Sequence, residues 1–261
     1  MNFLVVGAGD MGTWLGGALA ADTDADVAFA DADPSAADRA ASATGGRTVP
    51  LDTDERFDAV CLAVPLPAVA DAVAEHAGRA DRALLDVSGV MDPAVRAMRE
   101  HAPDRERVSL HPLFAPDAAP GNVAVVADEP GLVTDRVRTT LTDRGNDLFE
   151  TTAEEHDRAM RTVQARAHAA VLAYGLAAEP VREEFQTPVS RALGDLVDRV
   201  TGGTARVYAD IQSTFDGAED VAEAARRVAD ADDEAFAALY REARPGLSDH
   251  PDRPDDAGEG R

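Results

Sequence analysis

Short apolar blocks dominate the first 150 positions, and each is followed by a stretch with helical spacing. Residues 3–6, 27–30, 59–64, 83–87, 107–110 and 123–127 read as strands, and a helix around 131–144 leads to a last strand at 147–151. Strand and helix in alternation predict an α/β fold with a mostly parallel sheet. The pattern changes after "FETTAEEHDRAM". Thr152 followed by Glu155 gives a capping-box start for a long helix over 153–178, and everything beyond reads as helix, interrupted at Pro180 and Pro188. The chain divides into an N-terminal Rossmann-type dinucleotide-binding domain at 1–151, an all-helical domain at 152–244, and a Pro-, Gly- and Asp-rich tail at 245–261 that reads as disordered.

Composition narrows the class. There are 261 residues, 45% of them hydrophobic but only 5% aromatic, so the core rests on Ala, Val and Leu. The formal charge is −24, and all 25 basic residues are arginine; lysine is absent. Acidic residues spread over the surface-type positions fit a protein that works in molar salt, where the Debye length shrinks to about 3 Å. The balance argues against nucleic-acid binding, which needs a basic footprint. The single cysteine, Cys61, lies in an apolar run and forms neither a disulfide framework nor a metal motif. No apolar run approaches membrane-spanning length and no signal peptide is evident, so a cytoplasmic protein is expected.

The first candidate site is "FLVVGAGDMG". Gly7, Gly9 and Gly12 stand in G-x-G-x-x-G spacing directly after a strand and at the opening of a helix. Gly7 permits the turn, Gly9 the approach of a pyrophosphate, and Gly12 close helix–strand packing, while the helix N-terminus offers amides and a positive dipole end. Asp31 ends the second strand where a ribose-binding carboxylate is expected, which favours NAD and leaves NADP, through Arg39, as the alternative. Asp10 and Met11 within the motif, and Val64 and Pro65 after the strand at 59–64, complete the expected cofactor contacts. Ser88 and His111 follow two further strand ends, so both reach the same crevice. Pro112 biases His111 toward extended geometry, and the strand is expected to stop there and turn away.

These motifs together make the sequence recognisable. "GAGDMGTWL", the "DVSGV" strand end from Asp86 to Val90, "SLHPLFAP", "EEHDRAM", "VQARAHAAVLAYGL", "FQTPV" and "ARVYADIQ" occur in the order seen in the prephenate dehydrogenase family, across residues 1–215. The sequence resembles the short, single-function members of that family. The resemblance implies NAD-dependent oxidative decarboxylation of prephenate, with His111 as base or acceptor at the C4 hydroxyl and Ser88 orienting it. It also implies that His168 and Gln164, four residues apart on one helix face, and Arg199, a carboxylate-binding arginine, hold the substrate. His156 reads as a residue that caps and packs its helix, and His76, His101 and His250 carry no motif. Met91 stands where the family often has lysine. Arogenate is the alternative substrate. Another Rossmann-plus-helical dehydrogenase and a non-enzymatic dinucleotide sensor are further readings. A homodimer through the helical half is expected, and no metal.

Overall fold

The computed structural model describes residues 1–21 and 25–244; the tail expected at 245–261 lies outside the described residues. Eight strands form one sheet: β1 (Asn2–Val6), β2 (Asp26–Ala30), β3 (Arg47–Thr48), β4 (Phe57–Leu62), β5 (Ala80–Asp86), β6 (Glu106–Pro112), β7 (Asn122–Glu129) and β8 (Asp147–Glu150). Their order is β3-β2-β1-β4-β5-β6-β7-β8. Every neighbouring pair is parallel except β6 and β7. The helices α1 (Asp10–Ala20), α2 (Pro34–Thr44), α3 (Val69–His76), α4 (Met91–His101) and α5 (Leu132–Asp143) cover both faces. Strands buried on both sides need apolar residues at successive positions, which is why they read as continuous blocks. In β1, Leu4 and Val6 enter one core while Phe3 and Val5 enter the other.

Two features differ from the sequence reading. The short strand β3 carries no apolar block and is held at the sheet edge by pairing with β2. The strand bearing His111 does not stop there: β6 continues through Pro112, pairing His111 with Ala124 and Pro112 with Val123 on β7. The reason is local. The pairing of β5 with β6 ends at Asp86 and Ser109, so beyond that point β6 has a partner on one side only. Proline, without an N–H, is tolerated where a ladder bond is not required. The base of β6 is pinned by Arg107, whose side chain is 8% exposed and whose Nε donates to Asp128 at 2.7 Å. Burial works to raise the Asp128 pKa, but hydrogen bonds from Arg99 and Arg107 outweigh it and hold the group below the ordinary carboxylate value.

After β8 the chain is helical: α6 (Ala153–Met160), a π-helical segment at Arg161–Arg166, then α7 (Ala167–Ala177), α8 (Pro188–Thr201), α9 (Ala205–Phe215), α10 (Ala218–Ala229) and α11 (Asp233–Glu242). Thr152 caps α6, its hydroxyl accepting from the Glu155 amide at 3.1 Å. The long helix of the sequence reading is thus interrupted by one widened turn. Gln212 on α9 donates to the Ala165 carbonyl in that turn at 2.7 Å. Such turns recur near functional sites because they rotate neighbouring side chains relative to a regular helix.

Candidate active site

The strand order reverses between β1 and β4, and a crevice at such a point is where open α/β sheets bind dinucleotides. Gly7 ends β1 at φ +93°, and a Cβ on it would stand 2.3 Å from the Ala63 carbonyl oxygen. A Cβ on Gly12 would stand 1.8 Å from the Gly7 oxygen, so the loop and α1 can only pack this closely with glycine. Around Gly9 nothing lies within 4 Å of an added Cβ, which leaves the N-terminus of α1 open to an approaching phosphate. Asp10 and Met11 occupy the first turn of α1. Asp31 closes the far side: its Oδ2 accepts from the Ala8 amide at 2.7 Å and its Oδ1 from the Asp33 amide at 2.8 Å. Val64 and Pro65 follow β4 beside Gly7, with the Val64 nitrogen 3.3 Å from that same added Cβ. Arg39 is drawn to Asp33 at 3.6 Å and to the Ser35 hydroxyl at 2.9 Å. These residues fit a dinucleotide with an unsubstituted ribose hydroxyl.

Two strands along, β5 and β6 deliver a polar cluster. His111 is 8% exposed and His156, on α6, is 3% exposed. His111 Nδ1 stands 2.8 Å from His156 Nε2, and His156 Nδ1 stands 2.7 Å from Asp157 Oδ1. Asp157 in turn accepts from the amides of Met91 and Asp92, each at 3.0 Å, at the start of α4. On the other side of the ring, Gln164 Nε2 lies 3.4 Å from His111 Nε2. Gly89, at φ +93°, leaves the space that ring needs: a Cβ there would sit 3.0 Å from His111 Nε2.

Burial is the main cause of the His111 pKa falling to about 3, with the neighbouring His156 adding to it and Asp157 opposing it. The ring is therefore neutral at any pH near 7, and a neutral imidazole can accept a proton. For Asp157, burial works upward, but the bonds from His156 and the two α4 amides keep it below the ordinary carboxylate value.

The hydroxyl oxygen of Ser88, the residue before Gly89, is buried with no hydrogen-bond partner, and so is Nδ1 of His168 on α7, whose pKa burial lowers. The His168 ring meets Tyr208 of α9 edge-on, with centroids 4.8 Å apart. Gln212 Oε1 is the third such atom among the described residues. A buried polar atom without a partner is costly unless a ligand or water completes it.

His111, Ser88 and Gln164 thus sit with the glycine crevice at the carboxyl edge of the sheet. Arg199 does not join them: it is exposed in the last turn of α8 and takes no part in the bonds around His111. His156 was read as helix packing, yet its ring touches His111. Its position in "EEHD", one residue before an aspartate, carries no periodic or spacing signal for that. Asp86, which the motif leaves without a role, is a second such residue. It is buried at the end of β5, accepting from the Ser88 amide at 3.1 Å and the Ser109 hydroxyl at 2.9 Å.

The family model of the prephenate dehydrogenase nucleotide-binding domain matches residues 15–138. A 4-amino-4-deoxyprephenate dehydrogenase from Streptomyces pristinaespiralis is 35% identical over 214 residues, covering 74% of this chain and 71% of that protein. The chain belongs to the prephenate dehydrogenase family. The fold agrees across its length. Prephenate dehydrogenase from A. aeolicus, solved with hydroxyphenyl propionate and NAD+, superposes with a TM-score of 0.68 at 16% identity, over 95% of this chain and 93% of that one. Synechocystis arogenate dehydrogenase superposes at 0.64 and 14%, over 95% of each chain. As a member of this family the protein is a dehydrogenase. No helix among its described residues is long and apolar enough to cross a membrane.

One prediction concerns Asp86. Burial raises its pKa to about 6, against the pull of the hydrogen bonds it accepts. Folding then takes up a proton between about pH 4 and pH 6, and the stability of the native chain loses ground as pH rises through that window. Asp86→Asn carries no charge, so urea unfolding should show it more stable than the wild type by about 1–3 kcal/mol at pH 8, with the difference gone by about pH 4. A difference of the same size at both pH values would contradict the buried-carboxylate explanation.

Proposed function

We propose that the protein catalyses the NAD-dependent oxidative decarboxylation of prephenate to 4-hydroxyphenylpyruvate and CO2. The observation that carries this reading is the neutral, buried His111, with Nε2 facing Gln164 and Gly89 beside the partnerless Ser88 hydroxyl. NAD, held by Gly7, Gly9, Asp10, Met11, Gly12, Asp31, Val64 and Pro65, supplies the hydride acceptor. Asp31, engaged with the loop amides, disfavours the added phosphate of NADP, so NADP is the weaker cofactor.

His111 Nε2 takes the proton of the C4 hydroxyl as the carbonyl forms. It returns that proton to the same oxygen once loss of CO2 has left the ring a phenolate, so prephenate turnover releases no net proton. Ser88 donates or accepts at the same oxygen, which completes its buried hydroxyl. His168 and Gln164 hold the substrate from α7 and the π segment. The helical layer over the cluster excludes water, which keeps His111 uncharged between turnovers.

The Streptomyces relative favours a second reading, with 4-amino-4-deoxyprephenate as substrate. A neutral acceptor serves an ammonium as well as a hydroxyl. The two readings differ in proton balance: an ammonium substrate ends as an uncharged arylamine and releases one proton per turnover. Arogenate, with an amino acid side chain, releases none.

We also infer a homodimer through the helical half. Leu176 (88% exposed), Val181, Phe185 (66%) and Val189 (70%) are exposed apolar side chains on α7, α8 and their connection. Light scattering in molar salt is expected to give a dimer, and a monomer at micromolar concentration would refute it.

Activity is tested by following NAD and NADP reduction in molar salt with each of the three substrates, alongside proton release in weak buffer. NAD reduction with prephenate is expected with no proton beyond that from hydration of the released CO2, and kcat should fall roughly 10²–10⁴-fold in His111→Asn. Turnover of 4-amino-4-deoxyprephenate alone, with one proton more than CO2 hydration supplies, would replace the first reading by the second. No turnover by a folded, NAD-binding protein would overturn both.

A further inference from the structure

The hydrogen bonds behind His111 have a direction, and it is set at their far end. Backbone amides only donate, so Asp157 accepts from Met91 and Asp92 at the N-terminus of α4, where a carboxylate is favoured. An ionised carboxylate has no hydrogen to give, so His156 Nδ1 carries the hydrogen in its 2.7 Å contact with Asp157. In the neutral ring, His156 Nε2 is then a lone pair, and at 2.8 Å it accepts from His111 Nδ1. The consequence reaches the substrate side: His111 Nε2 is left as the acceptor. Four groups, two amides of α4 and two side chains of α6, thus decide which nitrogen of one imidazole is free.

The same series settles where a positive charge can rest. His111 has no carboxylate in contact, and burial makes it a weak base, with its pKa near 3. His156 lies against Asp157. The other ionisable groups around the pair are Asp86 at the end of β5 and Asp92 at the start of α4, the latter paired with Arg96 at 2.5 Å.

We propose that His156, held by Asp157, is a positioning residue that fixes the Nδ1–H tautomer of His111 and takes over its Nδ1 proton when His111 Nε2 receives one from the substrate. One proton arrives at His111 and one leaves it, so the ring stays neutral while the charge sits on His156 beside Asp157. No electrons move in this step, and the reverse transfer returns the proton to the substrate oxygen. The relay, though not the tautomer, rests on the dehydrogenase reading above.

The test uses the full-length protein with 15N-labelled histidine. Only 6 histidines are present, and His111 and His156 are assigned from spectra of His111→Asn and His156→Gln. Long-range 1H–15N spectra of the wild type should show hydrogen on Nδ1 and none on Nε2 in both rings. Asp157→Asn, with one acceptor oxygen in place of two, should lose that order at His111. Its kcat with prephenate should fall at least about 100-fold, while KM for prephenate and the Kd for NAD stay within about threefold.

An Nε2–H tautomer at His111 in the wild type would overturn the proposal without any variant having to fold. So would a kcat within about threefold of wild type in both Asp157→Asn and His156→Gln, or an equal loss in kcat and substrate affinity, the mark of a structural role. Ordered Nδ1–H tautomers in a chain that turns over none of the three substrates would support the tautomer and contradict the functional reading instead.

Discussion

Taking an imidazole out of water disfavours its charged form most. His111 sits where that penalty is large, under the helical layer at the end of β6, and it resolves the penalty by remaining neutral. Much of the surrounding architecture follows from this. A neutral ring still needs partners for its nitrogens, and a buried strand end has none of its own to offer. They come from elsewhere: His156 from α6 on one side, Gln164 from the π segment on the other. The helical half is therefore tied to the sheet at the same point where the chemistry is placed.

The ties form a connected set. Asp157 links α6 to the first turn of α4, and Gln212 links α9 to the widened turn that carries Gln164. Gly217, at the start of α10, lies so near that turn that an added Cβ would be 2.6 Å from Ala165. On the sheet side, Asp86 holds the Ser88 amide and the Ser109 hydroxyl, bridging the ends of β5 and β6. These contacts leave little freedom for the ring, while Ser88 Oγ and His168 Nδ1 remain without partners. Rigid placement combined with incomplete polar groups is what a site for a small polar ligand requires.

How much of this could be read from the sequence depends on whether local chemistry or tertiary contact decides each feature. The inner strands of the sheet were legible because residues buried on both faces must be apolar at successive positions, whereas the edge strand β3, without an apolar block, was not. The glycine crevice was legible because Gly7 and Gly12 answer local steric demands. His111 and Ser88 could be placed at strand ends, and the family resemblance added Gln164, which meets the His111 ring. The continuation of β6 through Pro112 was not legible, since it depends on which side of the strand lacks a neighbour. Nor was the π turn, whose Ala165 carbonyl is met by a residue 47 positions away. His156 was missed for the same reason: its partner lies 45 positions upstream, and nothing in its own helix distinguishes it from a packing residue. The buried Asp86 stood inside the recognised "DVSGV" segment but drew notice only as part of the motif.

A dry, neutral His111 is the claim on which the rest stands, and its protonation can be read without substrate. The most direct measurement is the NMR signal of its Cε1–H, assigned with His111→Asn, followed from pH 8 down to pH 4.5. Burial predicts no titration over that range, because the ring gains a proton only near pH 3. A midpoint close to the unperturbed value of about 6.5 would show a solvated imidazole and contradict the base proposed here.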